Sequence, residues 1–175
     1  MAPTTFRNMA TILILCSVLT SALCCDWLTH YNDLRNSSLV LVRSMVSTDM
    51  GPKGPFRADD RIISCGLDEN SQLRFIRCSL AHIYNLYRHG NTSAACWDAG
   101  KTTNFLESIN RQILELDECV SAAGTAPQLV TCVLTRVLLL QGGTDGWEML
   151  RRETEQDLIR LDQLGNRIKA RRGQH

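Results

Sequence analysis

The sequence has no Gly-rich phosphate loop, no H-E-x-x-H and no G-x-S-x-G. Phosphate cradling, zinc-protease and α/β-hydrolase chemistry therefore have no motif to rest on. No C-x-x-C occurs among its eight cysteines. The histidines (His30, His82, His89 and His175) stand at no zinc-ligand spacing to them, which removes a metal site, a redox motif and any implied cofactor. His82 and His89 lie seven residues apart on one helical face and read as surface. Excess charge is missing too: 19 Lys and Arg face 18 Asp and Glu, so bulk charge gives no reason to expect a nucleic acid partner. Only 4 prolines and 11 glycines occur in 175 residues, too few for a collagen-like or low-complexity chain. There is no Asn-Gly turn, no alternating apolar pattern and no repeat, so nothing signals a β-hairpin.

What is present begins with an apolar run, Ala10 to Cys24, preceded by a single charge, Arg7. It is shorter than the roughly twenty residues that span a bilayer. Small residues at Ala22 and Cys24 fit a cut before Cys25, so residues 1–24 are expected to be a secretory signal peptide. The chain from 25 to 175 is then a soluble extracellular domain of near-neutral charge, long enough for one solid core. No later segment is long enough to enter a membrane. Six cysteines remain: Cys25, Cys65, Cys78, Cys96, Cys119 and Cys132. In an oxidising compartment they are read as disulfide-forming, with fifteen full pairings open.

Apolar periodicity is helical almost throughout. Trp27, Tyr31, Leu34, Ser38, Leu41 and Met45 form one stripe, ending before the breaker cluster Met50 to Pro55 and a long connection over 49–68. Leu73, Ile76, Leu80, Ile83 and Tyr87 form a second, closed by Gly90 as a C-terminal cap. Thr92 or Ser93 is expected to cap a third helix, which carries Trp97, Phe105, Ile109, Ile113, Leu116 and Val120. Residues 129–140 are apolar nearly all round and read as a buried central helix. The last helix opens on a capping-box-like Asp145-Gly-Trp-Glu148 and runs along Trp147, Leu150, Thr154, Leu158, Leu161, Leu164 and Ile168. Its basic tail, from about Arg167, suits the negative end of a helix dipole. The expectation is an all-α bundle of five main helices with a long first connection, in up-up-down-down cytokine order. Asn36-Ser-Ser and Asn91-Thr-Ser are N-glycosylation acceptors.

These residues resemble the type I interferons, most closely those of bony fishes, over nearly all of 25–166. The start Cys25-Asp-Trp27 with Asn36-Ser-Ser-Leu-Val-Leu-Val42 is similar to the fish interferon first helix. Leu73 to Arg77, Trp97-Asp98 and Phe105 to Gln112 resemble the next two, and Cys119-Val120 the cysteine closing the third. Gly146-Trp-Glu-Met-Leu-Arg-Arg-Glu153 is similar to the Cys-Ala-Trp-Glu signature of the family's last helix. In mammalian interferons a cysteine lies two residues before that tryptophan. Here the position is Asp145, so the second mammalian bridge has no counterpart.

The resemblance implies a secreted monomeric cytokine, not an enzyme, that bridges two class II cytokine receptor chains. Kinases carried by those receptors (JAK-STAT signalling) then drive antiviral transcription. It also implies a Cys25–Cys119 bridge. Cys65 and Cys132 are left as one further pairing, and Cys78 and Cys96 read as free, buried thiols. For one receptor chain the matching positions are Phe56 and Arg57 in the connection and Arg151, Arg152, Glu155, Gln156 and Ile159, placed by their spacing on one exposed side of the last helix. For the other they are Arg77, Tyr84 and Arg88. Two further readings stand beside this one: an interleukin-10-like cytokine, which would dimerise by intertwining, and a secreted helical lipid-binding module, which would show a large apolar cavity.

Overall fold

The computed structural model describes residues 27–46, 68–122 and 144–173. Among them are α1 (Trp27–Ser44), α2 (Glu69–His89), the 3-10 turn η1 (Thr92–Ala95), α3 (Ala99–Ala122) and α4 (Thr144–Arg172), and no strand. The expected signal peptide, the connection carrying Phe56 and Arg57, and the apolar segment 129–140 lie outside the described residues, as do Cys25, Cys65 and Cys132.

The helical stripes become the core. All seven stripe positions of α4, from Trp147 to Ile168, are buried, as are all five of α2. Burial of such side chains contributes about 1.5–3 kcal/mol each. Ser38, the single polar member of the α1 stripe, is buried as well. It sits 2.8 Å from Ser108 Oγ and accepts a hydrogen bond from Gln112 Nε2, also at 2.8 Å, so its hydroxyl is satisfied inside the bundle.

Side-chain pairings fix the helix directions. Ser38 meets Ser108 and Gln112, while Lys101 reaches the Ser44 carbonyl, so α1 runs antiparallel to α3. Val42 with Arg151, and Tyr31 with Asp162, set α1 antiparallel to α4. Arg77 with Asp117, and Tyr87 with Phe105, do the same for α2 and α3. Glu69 with Arg172, and Tyr87 with Thr154, complete the set for α2 and α4. Thus α1 and α2 point one way and α3 and α4 the other. Each member of the first pair packs against both members of the second. At one end of this core Tyr87 stacks on Trp97 and meets Phe105 and Trp147, with centroids 5.1–6.4 Å apart.

Helix ends differ from the sequence expectations in two places, and Gly90 caps α2 as expected but not in the left-handed conformation. Asp98, not Thr92 or Ser93, caps α3: its Oδ1 accepts the Lys101 N–H at 2.8 Å, and Thr92 and Ser93 are spent in η1. No capping box forms at the start of α4. Glu148 turns forward to Arg151 and Arg152 instead of back to the helix start. Gly90 follows α2, but with φ −78°, so the left-handed cap conformation is not what selects glycine there. The neighbour selects it: a Cβ on Gly90 would collide with the six-membered ring of Trp147. Gly165 has the same role at the other end, where a Cβ would lie 2.8 Å from Tyr31 Cζ.

Cys78, read as a free thiol, is disulfide-bonded, and so is Cys119. Cys78 is half-buried on α2, so its helical placement did not forbid pairing. Cys96 is free but exposed, not buried: it ends η1 at φ 54°, in a left-handed conformation.

Candidate functional site

Two helical faces carry the residues singled out by sequence. On α2, Arg77 forms a fork with the Asp117 carboxylate of α3, Nε to Oδ1 at 2.7 Å and Nη2 to Oδ2 at 3.2 Å. About two to three turns along, Arg88 Nη1 donates to Tyr84 Oη at 3.1 Å, and its guanidinium lies 5.6 Å from the centre of the Tyr84 ring. The ring is half-buried against the core, so it holds the arginine over a fixed platform. Arg77, Tyr84 and Arg88 thus share one face, with Tyr84 and Arg88 prearranged.

On α4 the expected group divides. Arg151 is not on the exposed side. Its side chain is 11% exposed. Its Nε and Nη2 bind Glu148 at 2.8 and 2.7 Å, and its Nη1 donates to the Val42 carbonyl oxygen at 3.1 Å. Glu155 faces the same seam, accepting from Arg43 Nε of α1 at 2.7 Å. Both sit on the flank of α4 that packs against α1. Arg152 is more open and contacts Glu148 at 3.0 Å, Gln156 is exposed, and Ile159 packs half-buried on the core. Met149, half exposed at 50%, was not singled out by sequence. Its spacing of three and seven to Arg152 and Gln156 places it on their side of α4.

The electrostatics follow this division. The Arg151 hydrogen bond holds the Glu148 carboxyl below its usual range, with Arg152 adding to it. Glu148 in turn raises Arg151. On the opposite flank of α4, burial pushes Asp157 up, against the opposing effect of Arg160 at 3.0 Å. Burial also raises the Tyr31 and Tyr87 hydroxyls. Among the described residues no group of three or more His, Cys, Asp or Glu converges as a metal site would require. No helix among them is long and apolar enough to cross a membrane. A cavity between Trp27, Tyr31, Ser38, Gln112 and Asp162 has about 20 Å³, room for a single water. A lipid site needs several hundred Å³, so this cavity lends the carrier reading nothing.

No protein-family model matches the chain. Among curated proteins it is 27% identical over 161 residues to Interferon a3 of the trout Oncorhynchus mykiss, covering 87% of this chain and 91% of that protein. The chain is thus similar to an interferon along most of its length. The relative is an interferon and not an enzyme, in agreement with the missing catalytic motifs.

Proposed function

We propose that this interferon-like chain is a secreted cytokine that acts as a monomer, bridges two class II cytokine receptor chains and switches on antiviral transcription through receptor-associated kinases. The observation that carries this reading is the alignment with the trout interferon along 87% of the chain. The α4 side, Arg152, Gln156 and Ile159 with Met149 beside them, takes one receptor chain together with Phe56 and Arg57. Arg77, Tyr84 and Arg88 on α2 take the other. Binding energy concentrates in a few arginines and aromatics, which is why Arg88 over Tyr84 is weighted above its neighbours. Arg151 and Glu155 support the first face from behind.

The fold also supports the Cys25–Cys119 bridge. Cys25 precedes α1 by two residues, and the antiparallel packing of α1 on α3 puts the start of α1 at the end of the bundle where Cys119 sits. Fish cells carrying a reporter for antiviral transcription should respond to the refolded chain, and a mixture of two receptor ectodomains should form a ternary complex with it. Silence at saturating dose defeats the proposal. An intertwined dimer in solution would favour the interleukin-10-like reading instead.

A further inference from the structure

The chain has two Asn-x-Ser acceptor sequences, and the fold treats them oppositely. Asn36 is exposed on the outer side of α1. The hydroxyl that an N-glycosylating enzyme must grip two residues on belongs to Ser38, which is 1% exposed. Its Oγ is held by Leu34 O at 3.2 Å, Ser108 Oγ at 2.8 Å and Gln112 Nε2 at 2.8 Å. Residues two apart on an α-helix point about 200° from one another. The Asn36 amide and the Ser38 hydroxyl therefore face opposite sides of α1, and an enzyme approaching from solvent cannot reach both.

Asn91 is arranged the other way. It lies exposed in the link between α2 and η1, and the exposed Ser93 donates its hydroxyl hydrogen bond to Asn91 Oδ1. Amide and hydroxyl already stand together on the solvent side.

We infer that Asn91 is the acceptor the folded protein presents, and that Asn36 is an acceptor only before α1 coils and docks on α3. In the transfer, the asparagine side-chain nitrogen bonds to C1 of the first sugar of a lipid-diphosphate-linked oligosaccharide. The C1–O bond breaks, the lipid diphosphate leaves with the electron pair, and the amide proton passes to a base of the enzyme. Occupancy at Asn36 is then set by a race between transfer and the docking of α1. A glycan that wins the race stands one turn from Val40, an apolar side chain 61% exposed on the same outer side, and covers it. The inference rests on the proposed secretory route for its setting, but its test does not.

The test treats the unglycosylated chain, made in bacteria, with a single-subunit eukaryotic oligosaccharyltransferase and lipid-linked oligosaccharide. One sample is folded with its disulfides; the other is reduced, alkylated and unfolded. Site occupancy is read by peptide mass spectrometry. In the folded sample Asn91 should exceed Asn36 by about tenfold or more, because exposing Ser38 requires opening of packed helix, which is rarely populated. In the unfolded sample the two should converge. Equal occupancy in the folded chain overturns the inference, as does refusal of Asn91 by it. Refusal of Asn36 by the unfolded chain overturns it too, since the fold would not be the barrier. If the chain is not secreted, neither site is modified in cells, while the ratio in this experiment stands.

Discussion

Arg151 of α4 donates a hydrogen bond, 3.1 Å long, to the carbonyl oxygen of Val42 in the last turn of α1. The final carbonyls of a helix have no partner of their own. At the end of α1 other elements supply the donors: Lys101 Nζ to Ser44 O at 2.7 Å, and the Asp98 N–H to Met45 O at 3.1 Å, complete the closure. The end of α1 is therefore a junction of three parts of the bundle. The Arg151 side chain is only 11% exposed there and is tied to Glu148 at the same time.

Arg151→Ala should accordingly act on folding. It orphans the Val42 carbonyl and takes the principal partner from Glu148, an expected loss of about 2–4 kcal/mol. Arg152→Ala, at an exposed pair, should cost less than about 1 kcal/mol while weakening receptor binding. Thermal melts of the two variants beside wild type check this. A melting temperature unchanged by Arg151→Ala would remove the junction argument, and unchanged receptor affinity in Arg152→Ala would remove that residue from the face.

Ser38 offers a second measurement within the core. Ser38→Ala leaves Gln112 Nε2 without this acceptor, for an expected loss of about 1–3 kcal/mol. Ser38→Ala combined with Gln112→Leu removes both ends of the contact, so the double variant should lose less than the sum of the two single changes. Strict additivity in denaturant unfolding would show that the 2.8 Å contact carries no coupling.

The helices were legible because their apolar positions repeat at three and four, and those positions became the core: Trp147 through Ile168 are buried in sequence order. Relations across the bundle were not legible. Spacing along α4 places Arg151 and Arg152 near one another, but it does not say which flank meets α1, so a residue of the helix junction looked like open surface. Ser38 fitted the stripe without a reason, because its partners Ser108 and Gln112 stand seventy or more residues away. Asp98 was overlooked as a cap since two better-placed hydroxyl residues preceded it, and these proved to belong to η1. Met149 breaks the charged pattern of α4, the one sequence signal for its place on the outer side.

Gly90 was legible as a helix-ending glycine for the wrong cause, and that difference is measurable. Were conformation the only constraint, alanine would be nearly harmless at φ −78°. Because the added methyl instead meets the Trp147 ring, Gly90→Ala should destabilise by about 1–3 kcal/mol, the usual cost of overpacking. It should also perturb the tryptophan fluorescence, since Trp97 and Trp147 are in edge contact at 5.6 Å. Gly90→Ala combined with Trp147→Phe should recover part of the loss. A neutral Gly90→Ala would mean that the helix end shifts freely, and would weaken the case for a fixed aromatic pole.

Glu148 and Asp157 lie on opposite flanks of α4 and should give opposite acid dependences. Arg151 holds the folded Glu148 below its ordinary value of 4.5, so unfolded chains take up this proton first as pH falls. Its contribution to stability is therefore present above the ordinary value and is lost as pH drops through the folded one. Burial raises the folded Asp157 above 3.8, so the folded chain takes up that proton first, and the burden of keeping it ionised lifts on acidification. Unfolding curves of wild type, Glu148→Gln and Asp157→Asn between neutral and acid pH separate the two. The advantage of wild type over Glu148→Gln should shrink toward low pH. Measured against Asp157→Asn, wild type should instead gain as the pH falls. Parallel curves for all three proteins would mean that neither carboxylate senses its surroundings in the folded state, and the Glu148–Arg151 pair would then add nothing to stability.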